Sequence, residues 1–133
     1  MRAMYSQTTH SIQVTVKPVY LEEQSAPVEN HYVWAYQIEI KNLGEITVQL
    51  LNRNWKITDS LGRMKEVHGP GVVGEQPMLG PGDSFEYTSG TPLSTPSGIM
   101  VGTYEMRSAS GELFDIDVPA FSLDSPHQTV NLN

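Results

Sequence analysis

The sequence predicts an all-β chain, an antiparallel β-sandwich of about seven strands with the immunoglobulin or fibronectin type III-like architecture. Three observations predict it. Apolar and polar residues alternate with period two through most of the chain. Turn residues recur between these short runs, and no long segment carries the 3.6-residue period of a helix.

Taken in order, Ile12, Val14 and Val16 share one face of a first strand, and Tyr32, Trp34, Tyr36, Ile38 and Ile40 share one face of a second. A third runs from Thr47 to Asp59, but its apolar phase changes from Val48 and Leu50 to Leu51, Trp55 and Ile57. A bulge near Asn52 produces such a switch. Phe85 and Tyr87 mark a short strand, Met100 to Met106 another with Tyr104 inward, and Phe114, Ile116 and Val118 the last long one. The phase also flips at Lys17 and Pro18 and again at Pro119. Proline cannot donate to a ladder, so both terminal strands read as edges that bend or bulge. Asn42 with Gly44, Asp59 with Gly62, Pro81 with Gly82 and Ser110 with Gly111 supply the reversals. The stretch from His68 to Asp83 reads as the longest irregular segment. Residues 1–10 form a short N-terminal extension, 11–124 a single domain, and 125–133 a polar, flexible C-terminal tail.

A chain of 133 residues accommodates one core without staples, and it contains no cysteine. That excludes a disulfide scaffold and a thiol nucleophile, and it is compatible with a reducing, cytoplasmic setting. Eight Lys and Arg against 15 Asp and Glu give a formal charge of −7, which opposes attraction to nucleic acid and to anionic membranes. No apolar run approaches the roughly 18 residues that a spanning helix needs, so membrane insertion is not expected. The stretch from Met1 to His10 has one Arg and no apolar run, unlike a secretory leader.

Few residues have the types and spacing that chemistry requires. Gly69, Gly71 and Gly74 match G-x-G-x-x-G, in which loop amides cradle a phosphate at a helix N-terminus. Pro70, Val72, Val73 and Pro77 oppose a following helix, leaving at most an anion-binding concavity of backbone amides, or glycines used for positive φ and close packing. His10, His31, His68 and His127 show no metal-ligand spacing, and only His68 adjoins the glycine loop. Asp115 and Asp117 lie on one strand face, but on its polar phase. Ser89 lacks a nucleophile-elbow sequence. Trp34, Trp55 and Tyr104 read as core, with the Tyr104 hydroxyl tying a connecting loop. Arg53 shares the phase of Trp55 and Ile57, so it points to an apolar side and needs a partner. Either it pairs with a carboxylate such as Glu75, or its planar fork is open to an acidic ligand or peptide.

The blocks Gln49-Leu-Leu-Asn-Arg-Asn-Trp-Lys-Ile-Thr-Asp59, Gly69-Pro-Gly-Val-Val-Gly-Glu-Gln-Pro77, Pro81-Gly82, Phe85-Glu-Tyr-Thr-Ser-Gly90, Gly98-Ile-Met100, Gly102-Thr-Tyr104 and Pro119-Ala-Phe121 occur in order. From about Ile12 to Leu123 the sequence strongly resembles the bacterial ApaG family. The resemblance implies a fibronectin type III-like sandwich. It also implies a link, direct or indirect, to cobalt tolerance and magnesium efflux, and the attachment of related domains to eukaryotic F-box and DNA polymerase-interacting proteins implies recognition of other proteins. Folds host many functions, so the context is an analogy.

The expected function is a non-enzymatic module that recognises an unidentified protein partner through a sandwich edge and the glycine loop. Its expected binding residues are Arg53, His68, Gly69, Gly71, Gly74, Glu75 and Gln76, with no catalytic residue, metal ligand or cofactor. The alternative is a phosphate-, nucleotide- or divalent-cation-binding protein using that loop.

Overall fold

The structure, a computed structural model, describes residues 4–127. Residues 1–3 of the expected extension and 128–133 of the expected tail lie outside the described residues. Nine strands follow in chain order: β1 (Tyr5–Thr9), β2 (Ile12–Tyr20), β3 (Tyr32–Asn42), β4 (Val48–Asp59), β5 (Met64–Pro70), β6 (Met78–Leu79), β7 (Ser84–Leu93), β8 (Gly98–Ser108) and β9 (Leu113–Leu123). One antiparallel sheet has the order β1-β2-β3-β7 and the other β5-β4-β8-β9, with β6 pairing on β4 beside β5. The all-β sandwich is as expected. The strand count is higher, because β1, β5 and β6 carry little apolar alternation.

Period two places the core. Val14, Val16, Ile38 and Ile40 from one sheet meet Leu50, Met100, Tyr104, Met106 and Ile116 from the other, all fully buried. Trp55 packs edge-on against Tyr36, Tyr104 and Phe121, with ring centroids 5.6, 6.3 and 6.1 Å away. Such tilted contacts match positive ring edges to negative faces. Trp34 is equally buried, and its indole N–H donates to the Asp124 carbonyl at 2.8 Å. The Tyr104 hydroxyl bonds the Tyr87 hydroxyl across the two sheets, instead of tying a loop.

The expected bulge in β4 is present: Leu50 pairs with Met106 and Asn52 with Glu105, leaving Leu51 unopposed. The extra residue lets Leu50 and Trp55, an odd number of positions apart, both face inward. β9 is an edge and shifts register at its proline. Met100 opposes Phe121 and Gly102 opposes Val118, so Pro119 and Ala120 together face Val101. β2 corrects the matching expectation. Its register with β3 runs unbroken from Ile12 to Tyr20 through Pro18, and β1 covers its other side as far as Val16. The extension is therefore largely a strand. It joins β2 through His10 and Ser11 at φ 49° and 65°, a tight reversal built without glycine.

The expected irregular stretch is also shorter. His68–Pro70 belong to β5, and Met78–Leu79 return as β6. Among the described residues helix is confined to two 3₁₀ turns, Glu22–Gln24 and Pro27–Glu29, so Glu22 and Glu23 are not extended. Among the described residues no helix is long and apolar enough to cross a membrane.

The two long seams of the sandwich differ. Along one, β1 and β9 are joined: the Asp117 amide donates to Thr9 Oγ1 at 3.2 Å, and the Tyr5 ring lies 6.2 Å from that of Phe121. Along the other, β5 and β7 each have a single ladder partner and face each other without pairing. Between Trp55 and β8 the approach is close, since a Cβ on Gly102 would sit 2.6 Å from the Trp55 ring and 2.8 Å from the Asn54 carbonyl oxygen. Gly102→Ala is expected to cost about 1–3 kcal/mol through overpacking. Denaturant unfolding would show a lower midpoint with an unchanged slope.

Candidate functional site at the open seam

A groove of about 420 Å³ lies between β5 and β7. Its floor is Tyr36 from β3 with Trp55 and Ile57 from β4, all on inward-facing phases. Val67 of β5 and Ser89 to Thr91 of β7 form the walls. Arg53 stands at one end; Asp59, Arg63 and Ser94 stand at the other.

Arg53 reaches the groove because the Leu51 bulge turns the odd positions inward, the phase that Arg53 shares with Trp55. Its Nη1 donates to the carbonyls of Pro70 and Gly71, each at 3.0 Å. The guanidinium lies flat over Gly69, where a Cβ would approach Nη1 to 2.8 Å. Gly69 therefore makes room for arginine. The expected pairing with Glu75 is not made, and among the described residues Arg53 forms no ion pair. Beside it, burial raises the Tyr36 pKa, while the neighbouring Ser89 side chain and the Arg53 charge pull it back. Burial likewise raises the pKa values of Tyr87 and Tyr104.

The glycine loop is a tight hairpin. Val72 and Glu75 exchange both backbone hydrogen bonds, at 2.8 and 2.9 Å, around Val73 and Gly74 at φ 45° and 81°. The unopposed Leu51 carbonyl accepts from the Gly71 amide at 2.8 Å and from Gln76 Nε2 at 2.9 Å. Gln49 Nε2 in turn donates to the Gln76 carbonyl at 3.1 Å. The amides of Gly71, Val72 and Glu75 are thus already bonded to carbonyls, and no helix follows. A phosphate cradle of the G-x-G-x-x-G kind is not what these glycines build, so the alternative reading is not favoured.

The structure brings Arg53, Gly69, Gly71 and Gln76 together at the groove end, while His68 joins Arg53 and Gly69 only in a separate depression on the outer face and Glu75 meets Gly71 only through its backbone. His68 lies on β5 opposite Asn54, with its ring 3.5 Å from Glu66, on the outer face away from the groove. Gly74 and Glu75 belong to the exposed hairpin tip. Sequence reasoning passed over Tyr36 as core and Ser89 as a failed nucleophile. It also passed over the Asp59–Arg63 pair, joined at 2.7 Å, whose i, i+4 spacing across Gly62 was a legible sign. Asp59 caps its own turn, accepting from the Leu61 and Arg63 amides at 2.9 and 3.0 Å. Burial pushes this carboxyl up, but the hydrogen bonds from Arg63 and Leu61 outweigh it and hold the pKa below the usual 3.8.

A family model described as the ApaG domain matches residues 22–108, a span that includes all the groove strands β3, β4, β5 and β7. The chain belongs to the ApaG family. A Paramagnetospirillum magneticum relative named Protein ApaG is 68% identical over 98% of this chain and 100% of its own length. One of the same name from Rhodospirillum centenum is 64% identical over 93% of this chain and 95% of its own. A crystal structure described as an ApaA protein from Bordetella pertussis superposes with a TM-score of 0.86 at 45% identity, covering 91% of this chain and 98% of that one. No catalytic family is indicated by these ApaG matches.

Three consequences are measurable at this site. Gly71 sits at φ +61°, and a Cβ there would overlap the Glu75 carbonyl oxygen, so Gly71→Ala is expected to cost about 1–3 kcal/mol. Val73 pays for a left-handed conformation that Asn tolerates, and Val73→Asn creates the Asn-Gly pair such hairpins prefer. It should gain about 1 kcal/mol in a thermal melt. The depressed Asp59 pKa contributes stability above about pH 4, lost as pH falls through the folded-state value. Carboxyl NMR titration should show the Asp59 midpoint moving up towards 3.8 in Arg63→Ala.

Proposed function

We propose that this ApaG-family chain is a non-enzymatic recognition module that acts in the cytoplasm by taking an extended segment of a protein partner along its open seam. The observation that supports this reading is the pair of unmatched edges, β5 and β7, facing each other over an aromatic floor. Edge amides and carbonyls satisfy an added strand, and pockets beside them select alternate side chains. The hairpin from Gly71 to Gln76 borders the Arg53 end and is braced by the Leu51 carbonyl, so it presents a stiff boundary. Recognition of this kind uses no nucleophile or base. The link to divalent ions implied by the family resemblance then runs through the partner rather than through a site on this chain.

A photo-crosslinking residue in place of Met64, exposed on β5, tests the reading against the same residue in place of Leu113, exposed on β9. Partner adducts specific to the Met64 position are expected. No protein adduct there, or the same adducts from both positions, overturns it.

A further inference from the structure

The occupant's chemistry can be inferred from charge. The chain carries a net −7 with only eight Lys and Arg, yet Arg53, Arg63 and Lys65 all border one groove. Its bordering carboxylate, Asp59, is held by Arg63 at 2.7 Å. An acidic protein thus presents a locally positive slot.

Arg53 is the centre of it. Its Nη1 is bonded to two carbonyls, which satisfy protons without neutralising charge, while Nε and Nη2 have no partner among the described residues. A partly buried guanidinium without a counter-ion favours an anion that brings one. Tyr36 and Ser89 line the same groove, and the Tyr36 hydroxyl is near enough to feel the Arg53 charge. A half-committed planar fork in a groove that also holds two hydroxyl side chains matches a carboxylate, which accepts two parallel N–H bonds.

We propose that the groove takes an extended peptide bearing an Asp or Glu side chain, whose carboxylate is bound by Arg53 with Tyr36 and Ser89 beside it. This rests on the recognition reading above. Arg53 and Trp55 lie two residues apart on β4, a rise of roughly 7 Å. An apolar side chain two positions from the acid would therefore lie over Trp55 and Ile57. Nucleic acid brings its phosphates together with a dense negative charge that the rest of this chain repels, so the anion is a carboxylate of a peptide.

The test is an NMR titration of the isotope-labelled chain with the capped peptide Thr-Val-Thr-Glu-Thr-Val-Thr, its Gln counterpart, inorganic phosphate and a thymidine oligonucleotide. The Glu peptide is expected to shift the Trp55 indole and Ser89 amide signals and to bind at least tenfold more tightly than the Gln peptide. Arg53→Gln should remove that difference and Arg53→Lys should retain part of it. Because Arg53 also braces the hairpin, Ser89→Ala serves as the second variant, cutting the preference several-fold with the remaining spectrum unchanged. Equal binding of both peptides in the groove overturns the carboxylate assignment and leaves the recognition reading standing. Binding of phosphate or oligonucleotide in preference to the Glu peptide, or binding of no peptide, also overturns it; the Met64 adducts then judge the recognition reading separately.

Discussion

One unopposed residue in β4 organises the functional half of the molecule. Leu51 has no partner on β8, and that single addition reconciles Leu50 and Trp55 on the same core face. It also leaves the Leu51 carbonyl outside the ladder, where it collects the Gly71 amide and the Gln76 side chain. The same phase shift turns Arg53 inward, towards the Pro70 and Gly71 carbonyls. Bulges commonly re-aim a side chain next to a site. Here one bulge sets the core register, the anchor of the hairpin and the direction of the charged residue.

The two seams divide the labour of the sandwich. β1 and β9 close one side through Thr9, Tyr5 and Phe121, while the opposite side stays open, with Arg53 at one end and the Asp59–Arg63 pair at the other. The aromatic floor is rigid because Trp55 is held by three neighbouring rings, so little ordering is needed when a segment lies on it.

What was legible in the residues followed from burial. Val14, Val16, Ile38, Ile40 and Ile116 announce their faces because alternation is strict where one side is dry. The β4 bulge and the Pro119 irregularity were legible for the same reason, as breaks in that alternation. β1 was not, since only its ends are shielded and its reversal uses His10 and Ser11 in place of the usual turn residues. Pro18 misled in the opposite direction, being tolerated inside a register that never slips. The site was half legible. An arginine on an apolar phase marked Arg53, whereas the spacing of Gly69, Gly71 and Gly74 mimicked a phosphate loop although each glycine answers a local steric demand. Nothing short of the packed sheets shows that Tyr36 and Ser89 line one groove with Arg53, because that groove depends on β3, β4 and β7 arriving from distant parts of the chain.

The union of β1 with β9 has a kinetic corollary. Strands separated by more than a hundred residues, as the Thr9 to Asp117 bond shows, must find each other before this wall of the sandwich exists. Loop closure over such a span is slow compared with hairpin formation, and fold topology of this kind lengthens the search. During synthesis β3, β4, β5 and β7 emerge before β9, yet the groove floor also waits for β9, because Phe121 is one of the three rings that hold Trp55. Closure of this wall and bracing of the groove floor are thus tied to the docking of the same strand, β9.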